Sequence, residues 1–207
     1  MKKILCVAVV LMCLGITGAA SAVEPMDAFK EHMEKIMKLL ADPQYKETHT
    51  ENLQRQEITA ITSRLFDYTE MAKRALARNW RIFTPAERQE FRNLFADLLE
   101  DTYYSKVYGE YTNETVTYLK QQKISEVKAR VETEIHRETV DVPVKYSMKL
   151  SKGVWRVYDV NIEGVSLIKN YRSQFAKILN KNKPEHLIQR LKDKIAKLEK
   201  EEKSEKE

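Results

Sequence analysis

The chain has 207 residues, with 36 Lys+Arg against 31 Asp+Glu and a formal net charge of +5. Five scattered glycines leave no room for a glycine-rich phosphate loop. No arginine-rich stripe with interleaved aromatics points to nucleic acid.

Lys2 and Lys3 precede an apolar run from Ile4 to Gly18, and Ala20-Ser21-Ala22 is a small-x-small site. This layout reads as a secretory signal cleaved after Ala22, so residues 1–22 leave and the mature chain begins at Val23. The run is too short, and wrongly flanked, for a membrane span. Cys13 raises a lipoprotein anchor, but Met12 stands where lipoprotein processing wants a small residue. Both cysteines, Cys6 and Cys13, fall inside the signal. The mature protein is therefore expected without disulfide, thiolate metal site or cysteine nucleophile. Loss of Lys2 and Lys3 leaves a net charge of +3, with 34 basic residues against 31 acidic. That mild excess would suit an anionic headgroup or membrane surface, or simply a solvated exterior.

Residues 23–200 are a comfortable length for one domain. Pro25 to Leu40 carries Phe29, Met33, Ile36, Met37 and Leu40 on one helical stripe, broken by Asp42-Pro43. Asn52 to Leu65 is a second helix with Leu53, Ile58, Ile61 and Leu65 inward. Asp67-Tyr-Thr-Glu70 looks like a capping box, opening a helix that runs to about Trp80. Thr84-Pro85-Ala86-Glu87 is the stronger signal: Thr caps, Pro needs no N–H in the first turn, and Glu reaches back. The helix it starts carries Phe91, Leu94, Phe95, Leu98, Leu99 and Thr102 on a wide apolar face. It ends in Tyr103, Tyr104 and Tyr108.

The period then changes from helical to alternating. Thr115 to Gln121 is a strand. Val127 to Ile135 alternates small or apolar residues with Lys128, Arg130, Glu132 and Glu134. Val142, Val144, Tyr146, Met148 and Leu150 alternate in the same way. Lys152-Gly153 turns into a strand, Val154 to Ile162, that is apolar on both faces and expected to be the most buried. Ser166 to Asn180 returns to helix, and Pro184 opens a last one with Leu187, Ile188, Leu191, Ile195 and Leu198 on a stripe. Residues 201–207 read as a solvated charged tail. The fold class is α+β: helices packed on one concave antiparallel sheet of about four strands, with a cavity between the layers.

Chemistry-bearing motifs are sparse. His32, His49, His136 and His186 show no metal-ligand spacing with one another. Gly164-Val-Ser166 lacks the second glycine of a nucleophile elbow, and Ser166 suits a helix cap better. Asp159 and Glu163 close a strand beside aromatics, where burial could raise a pKa and support proton transfer. The plainer reading is that Asp159 bonds backbone or an arginine and Glu163 shapes the turn.

Three ordered segments carry a family resemblance. The first is Phe66-Asp67-Tyr68 with Met71-Ala72-Lys73-Arg74-Ala75-Leu76 and Asn79-Trp80. The second is Thr84 to Phe91 with Leu98-Leu99-Glu100-Asp101-Thr102-Tyr103-Tyr104. The third is Trp155 to Val160 with Glu163 to Leu167 and Asn170-Tyr171-Arg172-Ser173-Gln174-Phe175. Together they resemble the MlaC family, the phospholipid carriers of the Mla lipid-asymmetry pathway, also called toluene-tolerance proteins. The resemblance implies a monomeric periplasmic carrier of glycerophospholipid in a Gram-negative cell, not an enzyme. It implies no cofactor, the bound phospholipid being cargo. Its implied partners are an inner-membrane ABC transporter with an MCE-domain ring and an outer-membrane lipoprotein–porin complex. A chaperone for lipidated proteins and a small proton-transfer enzyme are the alternatives.

Residues of elements expected to face one another are the lipid-contact candidates. From the helices these are Leu76, Phe91, Phe95, Leu98, Leu99 and Tyr103. From the sheet they are Val131, Val144, Tyr146 and Met148, and from the late segment Val165, Ile168, Tyr171 and Phe175. Trp155 and Tyr158 suit core or pocket, and Lys169 and Arg172 a phosphate, an acidic partner or solvent. Apolar burial is indifferent to headgroup, so weak headgroup selectivity is expected.

Overall fold

A computed structural model describes residues 23–45, 50–107 and 111–204. The proposed signal, with Cys6 and Cys13, lies outside the described residues, as do His49 and Tyr108. Five strands form one antiparallel sheet: β1 (Thr115–Ser125), β2 (Lys128–His136), β3 (Asp141–Ser151), β4 (Val154–Ile162) and β5 (Val165–Ser166). Their order is β1-β2-β3-β4-β5, so every strand pairs with its neighbour in sequence. The short β5 is the addition to the four strands expected.

The alternation in β2 and β3 builds the inner face. Ala129, Val131 and Thr133 sit opposite Met148, Tyr146 and Val144, and all six are buried. In β4 the two-sided apolar pattern has a local cause. Ser147 pairs with Asp159 and Met148 with Val157, leaving Tyr158 as an extra residue. Such a bulge shifts the parity of side chains. Trp155 and Val157 point inward before it, and Val160 and Ile162 after it. Tyr158 turns to the opposite face, with the Arg74 guanidinium 3.9 Å from its ring centre.

Helix α1 (Pro25–Ala41) lies across the inner face. Phe29 is fully buried, its ring 4.3 Å from that of Tyr146 and 6.4 Å from that of Tyr118. The first turn of the helix and the chain before it are tied to the sheet. Trp155 Nε1 donates to the Val23 carbonyl at 3.0 Å, and the Met26 N–H to Gln121 Oε1 at 2.9 Å. Helix α2 (Glu51–Leu65) runs back beside α1. Leu53 does not face inward as expected; it is 54% exposed, and its neighbour Gln54 is buried instead. Gln54 Nε2 donates to the Leu39 carbonyl at 2.8 Å. The final carbonyls of α1 have no intrahelical partner, and a polar side chain there is preferred to a leucine.

Helix α3 (Tyr68–Leu76) starts at Asp67, whose carboxylate accepts from the Glu70 N–H at 2.9 Å. It stops four residues earlier than expected. Ala77 takes a left-handed φ of 49°, and a 3-10 turn follows over Ala77–Ile82. Helix α4 (Pro85–Val107) has the expected reciprocal cap: Thr84 N–H donates to Glu87 Oε2 at 2.7 Å, and Glu87 N–H to Thr84 Oγ1 at 3.2 Å. Helix α5 (Leu167–Leu179) is capped by Ser166, which accepts from the Lys169 N–H at 3.0 Å. Helix α6 (Pro184–Ser204) continues four residues past Lys200, into the segment read as tail. Lys197 pairs with Glu201 at 3.5 Å, the i,i+4 spacing that prolongs an exposed helix.

Among the described residues, three apolar centres result. One joins α3, α4, α5 and α6 around the rings of Phe83, Phe91, Phe95, Tyr171 and Phe175. Edge-to-face pairs within it include Phe95–Tyr171 at 5.1 Å and Phe91–Phe175 at 5.5 Å. Another lies between α1 and the sheet, and a small third one joins Ile36 and Leu40 of α1 to Ile58 of α2.

Candidate functional site

Where α1 and α2 lift away from the sheet, they leave a cavity of about 390 Å³. Its roof is Met33, Ile36, Met37 and Leu40 of α1 with Ile58, Thr59, Thr62 and Leu65 of α2. Its floor is Ile135, Val142, Val144, Tyr146, Val160 and Ile162 of the sheet. Met71, Leu99 and Tyr103 close one side. The helical stripe of α1 therefore divides its work: Phe29 packs on the sheet, and the next two turns pack on Ile58 of α2 while lining the cavity. A cavity of this size and lining belongs to the class that takes largely apolar small molecules.

The charged groups on the wall are matched among themselves. Arg55 is ion-paired with Asp101. Arg137 Nε donates to Glu114 Oε1 at 3.3 Å, and Glu114 Oε2 also accepts from the Thr112 N–H at 2.8 Å. The Tyr68 hydroxyl donates to Glu100 Oε1 at 2.8 Å. Burial pushes the Glu100 carboxyl above its ordinary range. The Tyr68 hydrogen bond opposes that shift, and the nearby Asp97 and Asp101 add to it. Burial likewise raises the Tyr146 phenol to about 12, so it stays neutral. The cavity thus offers a long apolar surface with neutral phenols and closed ion pairs at its edge.

Of the candidates read from sequence, Leu99, Tyr103, Val144 and Tyr146 line this cavity. Val131 and Met148 share its floor's face but are covered by the Phe29 cluster. Leu76, Phe91, Phe95, Leu98, Ile168, Tyr171 and Phe175 pack in the helical centre on the other side of α3 and α4. Leu98, Tyr171 and Phe175 also border a separate recess of about 360 Å³, whose wall includes Gln174, Arg190 and Lys194. Val165 is 63% exposed on β5. Nothing in the spacing of the α1 and α2 stripes distinguishes them from those of any helix on a core. One sign was available: Thr59 and Thr62 interrupt the apolar face of α2 where the wall of a cavity tolerates them.

The acids considered for proton transfer stand elsewhere. Asp159 Oδ2 accepts from Ser166 Oγ at 2.7 Å and Oδ1 from the Ile168 N–H at 3.1 Å, which fixes the start of α5. Glu163 has a φ of 50° and Gly164 one of 87°, forming the turn between β4 and β5. Neither lines the cavity. Arg172 Nε donates to the Arg74 carbonyl at 2.9 Å, tying α5 to α3. Among the described residues, Glu134, His136 and Asp141 converge on the outer face of the sheet. Both ring nitrogens of His136 are engaged there, with Asp141 Oδ1 at 2.8 Å and Thr117 Oγ1 at 2.7 Å. No helix among the described residues is long and apolar enough to cross a membrane.

Comparison with known proteins agrees with this architecture. No curated protein matches the chain in sequence. A phospholipid-binding protein from Ralstonia solanacearum, solved in complex with a phospholipid, has a similar structure. The TM-score is 0.76 at 23% identity, covering 85% of this chain and 99% of that one. The family model of the MlaC protein matches residues 30–193 of the chain. The chain belongs to the MlaC family.

Proposed function

We propose that this protein is a periplasmic carrier that takes glycerophospholipid by its acyl chains into the cavity between α1, α2 and the sheet. The observation that carries the reading is the cavity itself, about 390 Å³ and walled mainly by apolar side chains. Membership of the MlaC family supports it, as does the likeness to a structure that holds a phospholipid. The physical need is clear. Each acyl methylene costs about 0.8 kcal/mol to expose, so a free diacyl lipid does not cross water at a useful rate.

The closed ion pairs Arg55–Asp101 and Arg137–Glu114 leave the wall with little net charge to offer a headgroup. Selection is therefore by chain, and headgroups of different charge are accepted. The carrier works as a monomer without a cofactor, and the lipid is its cargo. It exchanges that cargo with an inner-membrane MCE-domain transporter complex and an outer-membrane lipoprotein–porin complex. The N-terminal segment directs it to the periplasm.

The test is to express the full chain, purify it from periplasm without detergent, and identify what it holds by native mass spectrometry and lipid extraction. Diacyl phospholipid near one per protein is expected. Protein that is consistently empty and takes up no lipid from vesicles would overturn the reading. Capture of acylated polypeptide in place of free lipid would replace it with a lipoprotein chaperone.

A further inference from the structure

The sheet is electrically polarised along its strands. The β1–β2 and β3–β4 turns project from the same end, and the Leu150 N–H donates to the Val127 carbonyl at 3.0 Å across them. On the outer face at this end Lys128 pairs in register with Lys149, and Lys149 with Arg156. Arg130 stands one position further in on the same face, and Lys152 sits in the β3–β4 turn. Like charges directly across strands repel one another, so this row is held at a cost to the free protein. Among the described residues, no carboxylate is ion-paired with Lys128, Arg130, Lys152 or Arg156. The acids nearby are few. Glu24 is taken by Lys123 at 2.6 Å, Glu70 is shared by Arg74 and Lys149, and Glu126 is the one acid in the β1–β2 turn.

Three aliphatic side chains stand out from the same end. Ile124 is 51% exposed, and Val127 and Val154 are each 46% exposed. Ile124 lies in the register shift between Lys123 and Ser125, the kind of bulge that redirects a side chain. The opposite end of the sheet, beside the cavity, is acidic. It carries Glu114, Glu134, Glu138, Asp141 and Glu163 against Arg137 and His136. The eight steps from Lys128 to His136 separate the two ends by about 25 Å.

We propose that the basic hairpin end docks on an anionic lipid bilayer. Ile124, Val127 and Val154 enter the headgroup layer, and Lys128, Arg130, Lys152 and Arg156 meet lipid phosphates. Apolar tips ringed by unpaired cations are the complement of such a surface. The acidic end is repelled by it. The bilayer therefore holds the molecule with its cavity end turned away, free for a partner, at a distance from the membrane set by strand length. This does not rest on the cargo reading, because an empty protein would dock equally well.

The experiment uses the mature chain and phosphatidylcholine vesicles with or without phosphatidylglycerol, read by flotation. Binding is expected only with phosphatidylglycerol and is lost at high salt. Lys128→Glu with Lys152→Glu is expected to weaken it at least about 25-fold, from roughly fivefold per cation near a charged surface. Neither lysine lines the cavity, so lipid uptake by this variant is expected to stay unchanged. The mature chain from Val23 has no cysteine, so a single dye-labelled position reports orientation. A dye on Val127→Cys is expected to shift to an apolar environment on anionic vesicles, and a dye on Val140→Cys is not. Absence of binding to anionic vesicles overturns the proposal, whether or not an acidic polypeptide binds. So does binding that the double reversal leaves intact, or a spectral shift at position 140 in place of 127.

Discussion

Replacing Val144 by tryptophan tests whether the cavity is where acyl chains sit. Val144 is 3% exposed and stands mid-floor, opposite Thr133 on one side and Ile162 on the other. A volume of about 390 Å³ accommodates on the order of a dozen methylene-sized groups at roughly 30 Å³ each. At about 0.8 kcal/mol per methylene, filling it with chain is worth on the order of 10 kcal/mol. The indole ring adds roughly seven heavy atoms and displaces about six methylenes, removing about 5 kcal/mol. That corresponds to a loss of roughly a thousandfold or more in affinity. The assay pairs lipid extraction from detergent-free protein with thermal unfolding. The expected result is a folded variant with little bound phospholipid. Its empty form should be as stable as empty wild type or more so, because the ring fills a void instead of opening one. A folded Val144→Trp protein that still holds phospholipid near one per chain would refute the assignment.

Glu100→Gln keeps an acceptor for the Tyr68 hydroxyl and removes the ionisation. Burial raises the folded-state pKa above the ordinary 4.5, so the folded protein holds that proton more tightly than the unfolded chain. Its stabilising effect is complete below the unfolded value and is lost as pH rises through the folded one. Unfolding midpoints from pH 4 to pH 8 should therefore fall less steeply in Glu100→Gln, which should be the more stable protein at neutral pH; parallel curves would contradict this. Phe95→Ala empties a site at 0% exposure in the helical centre and should cost about 3–5 kcal/mol. The folded fraction should keep its lipid ratio, because Phe95 does not line the cavity, and selective loss of lipid would show otherwise. Thr84→Ala removes one half of the reciprocal cap on α4 and should cost about 1 kcal/mol in chemical denaturation.

Much of the fold was legible because local rules and tertiary packing agree. The caps at Asp67, Thr84 and Ser166 are made by the side chains expected. Glu70 does not reach back as the capping box at Asp67 predicts, because the Asp67 N–H donates to the Val157 carbonyl and Glu70 pairs with Arg74. The alternation in β2 and β3 reads directly onto the sheet's two faces. Differences arise where a neighbour decides. Leu53 yields to Gln54 because the end of α1 needs a donor. The apolar residues on both faces of β4 reflect a bulge at Tyr158 as well as contacts on two sides, and a bulge leaves no mark in composition. The candidate site was harder to read. A helix stripe over a void and one over a packed core have the same spacing, so Ile36 and Ile58 look no different from Phe91 and Phe95. Only the placement of α1 and α2 above Val144 and Val160 separates them.

The strand order has a consequence for how the chain reaches this state. A meander pairs each strand with the one just made, so the sheet requires little loop closure and can form quickly. α1 is the opposite case. The Val23 carbonyl meets Trp155 across 132 residues, and among the described residues Phe29 finds its ring partners in β1 and β3. In a chain delivered N-terminus first, α1 emerges before any surface exists to bury it. Its apolar stripe stays open to solvent or to a holding chaperone until the last long strand is complete. Closure of the helix over the sheet is then a late event in folding, and the cavity is created at that moment.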